Sequence, residues 1–199
     1  MKKLLVILGL LVGLMQSVVA EDRPDPLEMV RQTADNVLHQ VTAHKATLDM
    51  DPSGVYIIVN RYILPHFDFN YMTRSAVGKY WRKADKDQQA ALQEEFSQLL
   101  VRTYGVALLN YSGQEIIYEP LRDATVDKVM VETKVAQTDG GPQIPVNYRL
   151  KFDEGKWMVY DVVIDGISLV SNYRTSFASQ IRRSGIDGLI KELSDRNKS

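Results

Sequence analysis

The sequence contains no cysteine, and this absence excludes several classes of site. Disulfide bonds, a thiolate nucleophile, a zinc–thiolate centre and a lipid-modified cysteine at the N-terminus all require that residue. Histidine is also scarce: His39 and His44 are five residues apart, which does not place them on one helix face, and His66 is the third. We therefore predict no metal site, and ordinary surface or helix-end roles for the three histidines.

The chain also lacks the short motifs that hold nucleotides or activate a serine. It has no GxxxxGK loop for phosphates, no dinucleotide fingerprint and no GxSxG elbow. After residue 20, no stretch approaches the roughly 20 apolar residues needed to span a bilayer. These absences predict a protein without cofactor and without a transmembrane helix in its body.

The first 20 residues have the layout of a secretory signal peptide. Lys2 and Lys3 precede an apolar run, and small or modest residues lead up to a cleavage site after Ala20. A membrane anchor is the alternative, but the run is shorter than a bilayer span. Because the leader carries two lysines and no acidic residue, its removal changes the formal charge from −1 to −3. That charge favours neither nucleic acid nor an anionic membrane surface, and we predict an exported, soluble protein.

Residues 21–199 are predicted to form one domain whose N-terminal part, residues 25–110, is helical. Asp25 is expected to cap the first helix and Glu28 to complete a capping box. Asp85 and Gln88 are expected to form the same arrangement at the clearest helix, which carries a broad apolar face. Two further helices are predicted over 53–63 and 71–78.

After Tyr111 the apolar period changes from about 3.6 residues to 2, which indicates strands. Short turns between them predict an antiparallel meander. The predicted strands cover 113–121, 126–135, 144–152 and 157–165. Ser168 is expected to cap a helix that ends at Gly185, and a last helix to follow over 186–193, so that the C-terminal helical part covers 168–194. This order predicts an α+β fold: a curved antiparallel sheet of four or five strands, covered by helices on one face and enclosing an apolar cavity.

Asp161 and Asp165 are the best candidates for catalysis. Four residues apart in a predicted strand, their side chains would point to the same face and could serve as general acid and base. The structural alternative places Asp165 at the end of the strand, beside Gly166, while Asp161 pairs with a lysine or arginine or faces solvent. A working acid also needs a shaped polar site, which the sequence does not show. We predict no enzymatic activity, with a cone-shaped small-molecule enzyme as one alternative and an envelope adaptor with a filled core as another.

Several segments together resemble the MlaC family, also called the toluene-tolerance auxiliary proteins. Residues 160–170 read YDVVIDGISLV and continue into Asn172, Tyr173, Arg174, Phe177 and Ile181. Residues 185–189 read GIDGL. Earlier segments read RYILPHFD at 61–68, TYGVAL at 103–108 and IPVNYRL at 144–150. These pieces occur in the family's order and cover nearly the whole chain after the leader.

The resemblance implies a periplasmic phospholipid carrier that moves lipid between the outer and inner membranes and maintains outer-membrane lipid asymmetry. Its implied partners are an outer-membrane lipoprotein–porin complex and an inner-membrane ABC transporter complex. The acyl tails would occupy an apolar pocket between sheet and helices, with the head group near solvent. No metal or cofactor is implied.

The residues expected to line this pocket are apolar and aromatic side chains of the late elements. In isolation such side chains more often belong to a filled core. The predicted lining is Leu100, Tyr104, Val146, Tyr148, Leu150, Tyr160, Val162, Ile164, Leu169, Tyr173 and Phe177. Arg174 is predicted at the mouth beside a phosphate, or alternatively in a salt bridge to Asp161 or Asp165. A bulky residue in place of Val146 is expected to lower the amount of bound lipid.

Overall fold

Helices form the first part of the chain, and an antiparallel sheet followed by one long helix forms the rest. The computed structural model of the protein describes residues 23–122, 125 and 127–198, so the predicted signal peptide, residues 1–20, lies outside the described residues. The α-helices are α1 Pro26–Ala43, α2 Lys45–Met50, α3 Val55–Ile58, α4 Phe69–Val77, α5 Lys86–Gly105 and α6 Leu169–Lys198. The strands are β1 Ile116–Tyr118, β2 Lys128–Val131, β3 Thr133–Val135, β4 Ile144–Asp153, β5 Lys156–Ile164 and β6 Ile167–Ser168.

Shorter helical turns join these elements and replace part of the predicted helix over 53–63. A π-helical turn covers Val59–Ile63, and 3₁₀ turns cover Pro52–Gly54, Leu64–His66, Gly78–Lys83 and Val106–Asn110. Among the described residues, no helix combines the length and the apolar character that a bilayer crossing requires.

At the start of α1, the predicted cap by Asp25 is confirmed, but the predicted capping box with Glu28 is not formed. The Asp25 carboxylate accepts a hydrogen bond from the Leu27 backbone N–H at 2.8 Å. Glu28 does not complete a capping box: it accepts from the Gln32 amide at 2.8 Å and pairs with Arg31 at 3.7 Å. The Glu28 carboxylate therefore interacts with side chains three and four residues further along the helix, and not with the backbone N–H of Asp25 as a capping box requires.

Helix α5 begins with the predicted capping box. The Gln88 N–H donates to the Asp85 carboxylate at 2.8 Å, and the Asp85 N–H donates to the Gln88 side chain at 3.2 Å. Its buried Phe96 packs edge-on against Tyr173 and Phe177 of α6, with ring centroids 5.1 Å apart in both pairs. These contacts form the centre of a helical core shared by α4, α5 and α6.

The sheet has the strand order β1-β3-β4-β5-β6, with β2 also paired to β4, and every pairing of these strands is antiparallel. Strands β2 and β3 keep one register along β4, since Val131 lies opposite Tyr148 and Val135 opposite Ile144. Between them the Thr133 N–H donates to the Asn147 side chain at 3.2 Å, which interrupts the backbone ladder. The single strand predicted over 126–135 is therefore two strands, β2 and β3; residue 126 itself lies outside the described residues. Together with β6, this gives the described sheet six strands, where four or five were predicted.

A β-bulge changes the direction of side chains halfway along β5. Arg149 lies opposite Asp161, but the next pair is Leu150 with Val159, so Tyr160 has no partner on β4. The extra residue breaks the alternation of period 2. The prediction that Tyr160 shares the inner face with Val162 is wrong: its ring packs against Tyr71 of α4, with centroids 5.2 Å apart. Helices α1 and α5 cover the inner face of the sheet, as predicted. Helix α4 also contacts β5, through the packing of Tyr71 against Tyr160.

Helix α6 begins at the predicted cap and bends at the predicted glycine. The Ser171 N–H donates to the Ser168 hydroxyl at 3.1 Å. Gly185 has φ 73° and ψ −176°, a conformation outside the helical region, and helical structure resumes after it as far as Lys198. The second segment is therefore longer than the predicted 186–193.

Gly185→Ala is expected to lower the free energy of unfolding by about 1–3 kcal/mol. The backbone conformation at Gly185 is one that residues with a Cβ rarely adopt, whereas an added Cβ would meet no atom within 4 Å. The cost is thus conformational and not steric crowding. Chemical denaturation of this variant beside Ser184→Ala, an exposed change one residue earlier, measures it. Equal stability of the two variants would contradict the explanation.

Candidate functional site

An apolar cavity of about 260 Å³ lies between α1, the segment after α3, the end of α5 and the inner face of the sheet. Helix α1 contributes Met29, Val30, Thr33, Ala34, Val37 and Leu38. The segment from the π turn to α4 contributes Val59, Ile63, Leu64, His66, Phe67, Phe69 and Met72. The end of α5 and the turn after it contribute Leu100, Val101, Tyr104, Gly105 and Leu108. The sheet and the start of α6 contribute Ile116, Tyr148, Val159, Val162, Ile164 and Leu169.

Among the described residues, none that lines the cavity is charged at neutral pH. Its polar side chains are Thr33, His66, Tyr104 and Tyr148. Burial lowers the pKa of His66, so the imidazole is neutral at pH 7. Burial also raises the pKa of Tyr148 to about 12 and, helped by the neighbouring Tyr173 hydroxyl, that of Tyr104 to about 12. Such a wall suits an apolar ligand and offers few groups for proton transfer.

A polar recess adjoins this cavity at the start of α1. The two share Met29, Thr33 and His66. The recess has a volume of about 340 Å³, and its other lining residues are Pro24, Asp25, Glu28, Gln32 and Asn36. An elongated ligand with an apolar part and a polar end therefore finds both environments side by side.

Six of the residues predicted from sequence lie together on the cavity wall: Leu100, Tyr104, Tyr148, Val162, Ile164 and Leu169. They come from α5, β4, β5 and α6, elements that are separated along the chain and brought together by the sheet. Their contact with a lipid remains a prediction. The structure supports it by placing their side chains around one apolar space.

The other predicted residues lie off the wall. Val146 and Leu150 share the sheet face of Tyr148 but pack into the core beside the cavity. Tyr160 contacts Tyr71, as described above. Tyr173 and Phe177 belong to the helical core around Phe96.

Arg174 is not among the wall residues either. Its Nε donates to the Ser75 carbonyl oxygen at 2.9 Å, which ties α6 to α4. The alternative salt bridge to Asp161 does not form, because Arg149 takes that position at 3.0 Å.

Sequence reasoning missed the contribution of α1 and of the segment 59–72. The signal was present in α1, where Val30, Ala34, Val37 and Leu38 follow helical spacing. An apolar stripe of this kind looks the same whether it faces a filled core or a cavity. The segment 59–72 gave no such signal, because its turns follow neither a helix nor a strand period.

Asp161 and Asp165 lie in different environments, one buried and one exposed. The Asp161 side chain is buried and accepts hydrogen bonds from Arg149 Nη1 at 3.0 Å, Ser168 Oγ at 2.6 Å and the Val170 N–H at 3.1 Å. Asp165 lies in an exposed turn with φ 49°. Neither residue lines the cavity, and the described residues contain no cluster of three or more histidine and acidic side chains able to hold a metal ion.

Comparison with known proteins gives consistent matches along most of the chain. A family model described as MlaC protein matches residues 31–195. The toluene tolerance protein ttg2D of Pseudomonas putida is 32% identical over 163 residues, covering 81% of this chain and 75% of that protein. The intermembrane phospholipid transport system binding protein MlaC of Haemophilus influenzae is 25% identical over 171 residues, covering 84% of this chain and 80% of that protein.

A solved structure matches the fold as well as the sequence. It is a phospholipid-binding protein from Ralstonia solanacearum, determined in complex with a phospholipid. The TM-score is 0.81 at 32% identity, and the match covers 88% of this chain and 98% of that one. The α+β architecture predicted from sequence is therefore confirmed by a related structure.

Proposed function

The chain belongs to the MlaC family, and from that premise we propose that it is a periplasmic phospholipid carrier. In this proposal the signal peptide is cleaved after Ala20, and residues 21–199 act as a single lipid-binding domain. The protein takes lipid from one membrane, delivers it to the other and so maintains outer-membrane lipid asymmetry. It exchanges lipid with an outer-membrane lipoprotein–porin complex and an inner-membrane ABC transporter complex.

The observation that carries the proposal is the uncharged, apolar wall of the cavity. Burying one methylene group contributes about 0.8 kcal/mol, so two acyl chains of roughly 15 carbons each disfavour free solution by more than about 20 kcal/mol. A phospholipid therefore crosses an aqueous gap only inside a carrier that offers an apolar environment. The related protein from Ralstonia solanacearum, which holds a phospholipid, supports the assignment of this ligand.

The arrangement of the two spaces gives the ligand an orientation. We expect the acyl chains in the apolar cavity and the head group towards the polar recess, beside the neutral side chains of Gln32 and Asn36. The cavity volume of about 260 Å³ is below the usual range of roughly 300–1,000 Å³ for ligand pockets. We therefore expect α1 and the sheet to move apart when two chains enter. Partner proteins would then drive release by binding the empty and loaded forms with different affinity.

The two alternatives from sequence receive less support from the geometry. An enzyme would need its ionisable pair in the cavity, whereas Asp161 caps α6 and Asp165 lies in an exposed turn. An adaptor with a filled core would not need the cavity. A binding role without catalysis is also in keeping with the names of the relatives, which describe phospholipid transport and phospholipid binding.

Protein purified from the periplasm without detergent is expected to contain phospholipid in stoichiometric amount. Native mass spectrometry would give the mass of the complex, and organic extraction followed by mass spectrometry would identify the lipid and count its chains. Delipidated protein should take up lipid again from liposomes. Protein that is lipid-free as purified and stays empty after that incubation would refute the carrier proposal.

A further inference from the structure

The hydroxyl group of Tyr118 on β1 is buried and has no hydrogen-bond partner among the described residues. Buried polar groups in proteins are nearly always paired, so an unpaired hydroxyl requires an explanation. The ring is held in place: Tyr118 lies opposite Thr133 in the sheet, and the Arg31 guanidinium of α1 covers the ring at 4.3 Å from its centroid. The hydroxyl is therefore fixed in position between α1 and the sheet.

Tyr118 lies on the inner face of the sheet, next to the cavity wall. Ile116, two residues earlier on the same strand face, is part of the cavity wall. Burial raises the pKa of Tyr118, the Asp35 and Glu28 carboxylates raise it further, and the Arg31 guanidinium lowers it. Tyr118 packs in the core cluster that includes Val146 and Tyr148, so its phenol lies next to the residues of the cavity wall.

Tyr148 brings a second phenol to the same place. Its side chain forms part of the cavity wall, and Tyr118 is close enough to contribute to its raised pKa. With a pKa of about 12, Tyr148 keeps its proton at any physiological pH and can only be a neutral donor or acceptor. The Tyr118 and Tyr148 side chains pack in the same core cluster on the inner face of the sheet, so two protonated phenols lie near the apolar wall.

We propose that the Tyr118 and Tyr148 hydroxyls donate hydrogen bonds to the ester carbonyl oxygens of the bound phospholipid and so fix how deeply it is inserted. The inference rests on the proposed carrier function and adds to it the chemical group that is recognised. Acyl chains have no acceptor, and the nearby cation, Arg31, is engaged with the Tyr118 ring and the Glu28 carboxylate, which leaves it less suited to a phosphate. Ester carbonyls are neutral acceptors next to the apolar tails, so neutral phenol donors at an apolar wall suit them.

The test compares two phospholipids with the same head group and chain length, one with ester-linked and one with ether-linked chains, which lack the carbonyl oxygens. Delipidated protein is offered both in equal amounts in vesicles, and the bound lipid is quantified by mass spectrometry. We expect the unmodified protein to prefer the diester by about three- to tenfold. In the double variant Tyr118→Phe with Tyr148→Phe, we expect this preference to disappear, so that the bound diester and diether are equal in amount.

Tyr160→Phe is the matched control, because that ring packs on Tyr71 away from the cavity and its variant should keep the diester preference. Thermal denaturation of all variants shows whether they are folded. If the unmodified protein binds both lipids equally well, a water molecule satisfies the hydroxyls and the inference is overturned, while the carrier function stands. If the double variant keeps the preference, the inference also fails. If neither lipid binds, the carrier proposal itself fails.

Discussion

Ala34→Trp is expected to lower the affinity for phospholipid by about 50-fold or more while the protein stays folded. Ala34 lies on the face of α1 that lines the cavity, and it is only half-buried. The indole would therefore extend into the cavity space and would not displace the packed core. The fold is held elsewhere, by the helical core around Phe96 and by the sheet core around Leu150.

The size of this effect follows from the apolar surface that the lipid could no longer bury. An indole occupies a large part of a cavity of about 260 Å³. If the indole excludes only three methylene groups of the lipid, the binding free energy falls by about 2.4 kcal/mol, at about 0.8 kcal/mol for each group. This corresponds to a decrease of roughly 50-fold in affinity. Competition between variants for a limiting amount of labelled phospholipid in vesicles measures this ratio.

Ala43→Trp is the matched control for this substitution. It makes the same change in the same helix, but Ala43 is exposed at the end of α1 and does not line the cavity. We expect it to bind phospholipid as the unmodified protein does. A folded Ala34→Trp protein with undiminished lipid would show that the cavity is not the binding site. Val146, which the sequence favoured for such a change, lies off the wall and is a weaker position for the test.

Local rules predicted the elements whose determinants are close together in sequence. The caps at Asp25, Asp85 and Ser168 are confirmed, and so is the strand with alternating apolar residues that became β4. Each of these depends on a few neighbouring residues. The bend at Gly185 belongs to the same class, because a single glycine allowed it.

The cavity wall could not be predicted in the same way, because it depends on contacts between distant segments. Alternation along β5 assigned Tyr160 to the inner face, but the bulge opposite Arg149 and Leu150 moved it out and moved Val159 in. A bulge of this kind depends on the neighbouring strand and leaves no mark in the period of the sequence. The choice between a filled core and a cavity also depends on how far α1 lies from the sheet, which composition does not determine.

Asp161→Ala is expected to lower the free energy of unfolding by about 3 kcal/mol and the melting temperature by roughly 6–12 °C. The carboxylate is 3% exposed and accepts three hydrogen bonds, one of them from the Val170 N–H at the start of α6. Alanine would leave that N–H and the Ser168 hydroxyl without their acceptor. The Arg149 side chain is 43% exposed, so water can solvate it after the ion pair is lost. The expected loss of stability is therefore near the lower end of the range of about 3–5 kcal/mol for breaking a buried ion pair.

Asp161→Asn separates the structural role from a catalytic one. The amide oxygen can still accept from the Val170 N–H, so we expect a loss of stability of about half that of alanine or less. Phospholipid binding should be unchanged, because Asp161 is not part of the cavity wall.

Asp165→Asn is the control: Asp165 lies in an exposed turn where asparagine tolerates the positive φ, so this change should alter neither stability nor phospholipid binding. If Asp161→Asn kept full stability but abolished function, the carboxylate would act chemically and the enzyme hypothesis would return. An unchanged lipid affinity in a destabilised protein would instead establish Asp161 as the residue that joins the sheet to α6.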